Sequence, residues 1–252
     1  MLHAPALPGS PGFRGSREAV ADAVLRDAET LVGAGVDGLI LENFHDAPFY
    51  PGNVPPETVA EMTALAAAVR CRFDRPLGIN VLRNDGRAAL AVAAAAGARF
   101  IRVNVLCGAR LTDQGVVHGI AHDLLRDRVR LGAESIKILA DVDVKHSAAL
   151  APRPLEDEID DVVHRGKADG LIVSGAATGR PTHLEDARRA KLAGGDVPVF
   201  VGSGVTAETA ADYLAVADGV IVGTWLKRGS AALAPVDGER VRRLMEGARR
   251  NF

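Results

Sequence analysis

The sequence predicts a single-domain (β/α)8 barrel spanning residues 1–252, and three observations predict it. Short apolar runs alternate with helical segments along the whole chain: seven are clear, and the opening Leu2-His3-Ala4 supplies an eighth, brief one. A chain of 252 residues suits eight βα units closed into one barrel. The runs VDGLILEN (residues 36–43), ADGLIVSG (168–175) and ADGVIVGT (217–224) repeat one template: a small residue, Asp-Gly, a near-apolar stretch and a polar tip. Strands this apolar imply a parallel sheet covered by helices. A doubly wound open sheet is the alternative, since it needs no particular strand count.

The elements follow in order. A helical stretch from about Ser16 to Ala34 carries Ala19, Val20, Ala23, Val24, Leu31 and Val32 at helical spacing and leads into the second strand, 36–43. Pro55 and Pro56 open the next helix, where a missing N–H costs nothing. The third to fifth strands read as 76–82, 99–106 and 135–144, and the sixth to eighth as 169–175, 197–204 and 218–224. The Ala-rich stretch 88–98 is about half of what a bilayer span needs, and reads as a buried helix. Thr182-His183-Leu184-Glu185 has the spacing of a capping box.

Composition excludes several classes. Apolar residues make up 48% of the chain and the formal net charge is −2, so the chain is globular and carries no electrostatic signature of a nucleic-acid partner. Cys71 and Cys107 form neither a disulfide framework nor a metal spacing. With no charged-then-apolar leader and no membrane span in view, a cytoplasmic protein is expected, and a homo-oligomer is compatible with the pattern.

Side chains alternate along a strand, so one parity faces the barrel interior. That parity carries Ile40 and Glu42, Gly78 and Asn80, Arg102 and Asn104, then Lys137, Leu139 and Asp141. The later strands turn inward Ile172, Ser174, Phe200, Gly202, Ile221 and Gly223. One half of the interior is therefore charged, and the other is apolar with small residues at its rim. The charged set is either an ion-pair network that only shapes the core or part of a site. In (β/α)8 barrels the site lies at the C-terminal ends of the strands, where Glu42, Asn80, Asn104 and Asp141 stand. Asp141 is the strongest candidate for a catalytic carboxylate. Lys145 and His146 follow it in DVDVKHSA (141–148), a segment that suits acid/base chemistry or Mg²⁺ ligation, or is simply a solvated charged loop. No cofactor and no metal site is otherwise indicated.

The stretch PVFVGSGV (198–205) ends the seventh strand, and IVGT (221–224) ends the eighth. In this fold the loops after these two strands often bind phosphate. Gly202, Ser203 and Gly204, with Gly223 and Thr224 beside them, supply close backbone N–H groups and two hydroxyls. SGAATG (174–179), including Gly175, closes a third side. Plain turns are the competing reading. No Walker or dinucleotide fingerprint is present.

Three further stretches fall on the same face. LENFHDAPF (41–49) places His45 and Asp46 just past Glu42. LCGARLTDQGVVHG (106–119) reads as a long loop whose Cys107 is as readily a packing residue as a nucleophile. His118 and His122 are spaced to share a helix face as surface residues. His3 ends the first strand and can point into the site.

The segments DGLILENFHDAPF, GINVLRND, FIRVNVLCGARLTDQG, IKILADVDVKHSAAL, LIVSGAATGRPT and VFVGSGVTAETAADYLAVADGVIVGTWLK closely resemble the BtpA/SgcQ family. The resemblance covers nearly the whole chain. It implies a phosphate-binding barrel of the ribulose-phosphate-binding type and, through the family name, a link to photosystem I biogenesis. Family members carry several apolar residues ahead of the first-strand segment, so a short first strand is expected here.

Two functions follow as expectations. The first is an enzyme acting on a small phosphorylated, sugar-phosphate-like molecule, with Asp141 as general acid/base, Glu42 assisting, and Asn80 and Asn104 orienting hydroxyls. An aldose–ketose isomerase resembling phosphoribosylanthranilate isomerase is one version, although such barrels use a first-strand Cys where this chain has His3. The second is a non-catalytic assembly or regulatory factor that keeps the barrel and its anion site.

Overall fold

A computed structural model describes residues 1–175 and 181–249. Eight parallel strands form one sheet in chain order: β1 (Leu2–His3), β2 (Leu39–Glu42), β3 (Leu77–Asn80), β4 (Phe100–Val103), β7 (Lys137–Val142), β9 (Gly170–Val173), β10 (Val199–Val201) and β11 (Gly219–Val220). The labels β5 (Ala109–Thr112), β6 (Gly115–His118) and β8 (Ser147–Ala149) belong to a second, antiparallel sheet of order β6-β5-β8. Across the seam between β11 and β1, the backbone nitrogen of Met1 donates to the Val222 carbonyl at 2.8 Å. The first strand is short, as expected, and still holds its register, His3 beside Glu42 and Leu2 beside Leu41.

Helices α1 (Arg17–Gly33), α2 (Pro56–Arg72), α3 (Gly86–Ala96), α4 (Ala121–Arg130), α5 (Leu155–Asp160), α6 (Leu184–Ala193), α7 (Ala210–Leu214) and α8 (Gly238–Ala248) connect the strands. Local chemistry sets their ends. The Ser16 hydroxyl accepts from the Ala19 N–H and starts α1, and Asp85 does the same for α3 through Ala88. Gly97, at φ 69°, closes α3 in the left-handed conformation that glycine adopts without a Cβ penalty. The outward strand parity, with Leu41, Ile79, Ile101, Ile138, Leu171 and Val199, is buried against these helices in one cluster. Each such side chain contributes roughly 1.5–3 kcal/mol on burial. Among the described residues no helix is long and apolar enough to cross a membrane.

Five local expectations are corrected. The stretch 106–119 is not an irregular loop: β5 and β6 form a hairpin, and β8, from the following connection, pairs with β5. Val105 packs beneath that sheet with Val117 and Val144 rather than against the helices. His118 ends β6 while His122 lies in α4, so they share no helix face. Lys137 is not an interior cation. It sits at the N-terminal end of its strand, its side chain is 59% exposed, and its amine reaches Asp169 at 3.1 Å. Thr182 does not cap α6: that helix starts at Leu184, and the Thr182 hydroxyl donates to the Ser203 carbonyl instead.

Candidate active site at the barrel mouth

The C-terminal ends of the strands enclose a cavity of about 490 Å³. Its lining brings together two groups of residues the sequence sets apart. One wall is Gly202, Ser203, Gly204, Val205 and Thr206 after β10, with Gly223, Thr224 and Trp225 after β11. The other holds His3, Glu42, Phe44, Arg102 and Lys145.

The first wall is backbone-rich. The N–H groups of Gly204, Gly223 and Thr224 donate to no protein acceptor among the described residues. The Thr224 hydroxyl is buried without a partner. Gly204 has φ 70°, a conformation that side-chain-bearing residues rarely adopt. A Cβ on Gly223 would stand 3.0 Å from the His3 ring, so glycine there lets the last strand approach the first. Trp225 is held from outside by the Arg240 guanidinium, 4.7 Å from its ring centre. Gly175 is buried but does not line this cavity. Residues 176–179 of the expected third side lie outside the described residues.

The second wall is polar and buried. Glu42 ends β2 at 5% exposure, with the His3 Nε2 at 3.8 Å from its carboxylate. The His3 ring stacks on Phe44, 4.2 Å between centroids, and its Nδ1 is buried without a partner. Burial holds His3 well below the ordinary histidine range, and the neighbouring N-terminal amine, Lys227 and Lys145 push the same way. Its imidazole is therefore neutral near pH 7. Lys145, on the connection after β7, is also lowered, first by burial and then by Arg102.

Beneath the cavity lies a closed network. Arg102 donates to both oxygens of Asp141, at 2.9 Å from Nε and 2.7 Å from the second nitrogen. Asn104 donates to the same carboxylate at 2.9 Å, and the Ser174 hydroxyl does so at 3.3 Å. Asn80 donates to the Arg102 carbonyl at 3.0 Å and to the Asn104 side chain at 3.3 Å. Asp141, Asn104 and Asn80 thus stand where the strand ends put them, yet the Asp141 oxygens and the Asn80 and Asn104 amide nitrogens are spent within the network, and only the Asn80 Oδ1 is left buried without a partner among these three. Asp141 does not line the main cavity. With Asn104 it lines a second one of about 220 Å³ under the antiparallel sheet. A carboxylate whose oxygens accept four donors does not fit a Mg²⁺ ligand. Among the described residues no group of three His, Cys, Asp or Glu is placed to hold a metal ion.

The remaining candidates are placed by packing. His45 reaches the Ala232 carbonyl at 3.2 Å, and Asp46 accepts from the Leu7 N–H at 3.2 Å. Both tie down the loop after β2. Cys107 contacts the Asp161 carbonyl, and burial pushes its thiol up, away from the nucleophilic thiolate. His146 is exposed beside Lys145. Parity alone did not single out Phe44, Trp225 or the exit of Arg102 into the cavity; the aromatic residues immediately after β2 and β11 were the available signal.

A family model described as the BtpA family matches residues 1–250. The chain belongs to the BtpA family. An uncharacterized protein of Thermococcus kodakarensis is 47% identical over 99% of this chain and 94% of its own length. The photosystem I biogenesis protein BtpA of Synechocystis is 44% identical over 98% of this chain and 85% of its own. Among solved structures, the N-(5'-phosphoribosyl)anthranilate isomerase of Pyrococcus furiosus matches 89% of this chain and 94% of its own with a TM-score of 0.56 at 12% identity. At that identity the likeness establishes the fold: this BtpA-family chain is a (β/α)8 barrel.

Proposed function

We propose that this BtpA-family barrel is an enzyme acting on a small phosphorylated, sugar-phosphate-like molecule. The observation that carries the reading is a single cavity, lined on one side by Gly202–Gly204 and Gly223–Thr224 and on the other by Glu42, His3 and Lys145. Within the glycine wall, Gly204, Gly223 and Thr224 offer phosphate oxygens N–H groups with no acceptor among the described residues, and the buried wall offers a carboxylate beside a neutral imidazole. Glu42 is the general acid/base. His3 donates a hydrogen bond to a reacting oxygen, while Lys145 and His146 stand at the mouth. Asp141, favoured on sequence for proton transfer, instead holds Arg102 in place; Asn104 holds Asp141, and Asn80 holds Asn104. The phosphoribosyl substrate in the name of the Pyrococcus furiosus neighbour supports the phosphate end, and an isomerase is one version of the reaction.

A second reading rests on the name of the Synechocystis relative: a non-catalytic role in photosystem I biogenesis. A buried polar wall around an open cavity favours the enzyme, because a scaffold gains stability from apolar residues there.

The test is a panel of phosphorylated sugars and phosphoribosyl compounds, followed by NMR with the purified protein. Turnover is expected, with Glu42→Gln lowering kcat by about 10²–10⁴-fold. Absence of both turnover and inorganic phosphate binding would overturn the proposal.

A further inference from the structure

The charges around the cavity do not balance. Arg102 is matched by Asp141. Among the described residues Glu42 is the only carboxylate in the cavity lining; it faces Lys145, which also lines the cavity, and a second cation just behind the lining, Arg83. Arg83 is 5% exposed, forms no ion pair among the described residues, and leaves its Nε without a partner. Among the described residues its side chain donates one hydrogen bond, to the Lys145 carbonyl at 2.6 Å, so it fixes the backbone that carries the lysine. Burial lowers Arg83, and the negative charges in its reach are Asp141, Asp113 and Glu42, with Arg102 opposing. Asp113 is exposed on the β5–β6 turn, where solvent screens it. The Lys145 amine has no hydrogen bond or ion pair among the described residues.

Three cations, Arg83, Arg102 and Lys145, thus stand against two buried carboxylates, Glu42 and Asp141. A buried cation without a partner is costly, and the surplus calls for an anion from outside. That surplus lies on the β3 and β7 side, across the cavity from the glycine wall.

We infer that the substrate carries a second anionic group, a carboxylate, bound by Lys145 over Arg83 while its phosphate rests at the β10/β11 wall. The inference builds on the phosphate assignment above. One surplus positive charge matches a carboxylate, whereas a second phosphate would bring about −1.5 to −2. The preferred substrate class is therefore a phosphorylated carboxylic acid of short chain.

Two probes of equal length separate the possibilities: 3-phosphoglycerate and glycerol 3-phosphate, titrated calorimetrically at about 0.15 M salt with inorganic phosphate as reference. The full chain is expected to bind 3-phosphoglycerate about ten-fold or more tightly than glycerol 3-phosphate. In Lys145→Met that ratio falls to about one, and in Lys145→Arg, which keeps the charge, most of it returns. Equal affinity for the two esters in the wild type, with phosphate itself binding, overturns the carboxylate site and leaves the phosphate wall standing. Failure of all three to bind overturns the phosphate wall first. A ratio that survives in Lys145→Met overturns the assignment to Lys145.

Discussion

Arg102 on β4 and Asp141 on β7 form a two-pronged ion pair at the centre of the barrel, 2.7 and 2.9 Å long, with the Asp141 side chain fully buried. Neither charge has another full counter-charge in contact, so each depends on the other. Asp141→Ala leaves the guanidinium buried alone. It is expected to destabilise the barrel by about 3–5 kcal/mol in urea unfolding. Asp141→Asn keeps one acceptor oxygen but sets an NH2 group against the two donors at the other, so it is expected to destabilise as well. Equal stability of the alanine variant and the wild type would show that water reaches Arg102.

His3 gives the stability a pH dependence. Its folded value lies well below 6.5 because of burial, so the unfolded chain takes up a proton first as pH falls. The contribution is full above about pH 6.5 and is lost below it, at up to about 1.4 kcal/mol per pH unit. Unfolding midpoints of wild type and His3→Gln should therefore diverge between pH 6.5 and 5, the wild type losing more. Parallel curves would mean that His3 is already solvated.

Gly204 combines a left-handed backbone with a place in the glycine wall. Gly204→Ala should cost about 1–2 kcal/mol without ligand. It should also shrink the gain that saturating inorganic phosphate gives the wild type, about 2.7 kcal/mol at a hundred times Kd. Thermal melts with and without phosphate read both quantities, and an undiminished phosphate gain would move the anion elsewhere.

Lys227, just beyond the β11 wall, is buried against Asp27 of α1, whose other oxygen accepts the Val236 N–H at 2.8 Å. Asp27→Ala strands the lysine and frees that segment. A loss of about 3–5 kcal/mol in denaturant is expected. It should be accompanied by weaker phosphate binding, because Gly223 and Thr224 lie on the same connection. A destabilised variant with unchanged phosphate affinity would separate the two.

Much of the fold was legible because a parallel barrel writes itself as apolar runs. Periodicity placed every barrel strand, and parity placed Glu42, Asn80, Asn104 and Asp141 at the right ends. Depth was not legible: parity sends Lys137 inward, but a residue at the bottom of its strand meets solvent, and this lysine reaches Asp169 there. Pairing was not legible either. Nothing in the order of residues says that Asp141 spends its oxygens on Arg102, which lies two residues from it in register, since Arg102 aligns with Leu139. The antiparallel sheet escaped because β8 is Ser-Ala-Ala, with no β-branched residue to mark it. Thr182 follows a capping pattern, yet its hydroxyl donates to the Ser203 carbonyl.

The antiparallel sheet has a consequence of its own. Its strands come from two different βα connections, after β4 and after β7, and the backbone ladder between β5 and β8 welds them together. Arg110, on β5, adds ion pairs to Asp143 and Glu158. Lys145 rides on the second of these connections. Exchanging one connection alone between relatives would tear the ladder; only the two transplanted as a cassette would carry a specificity across.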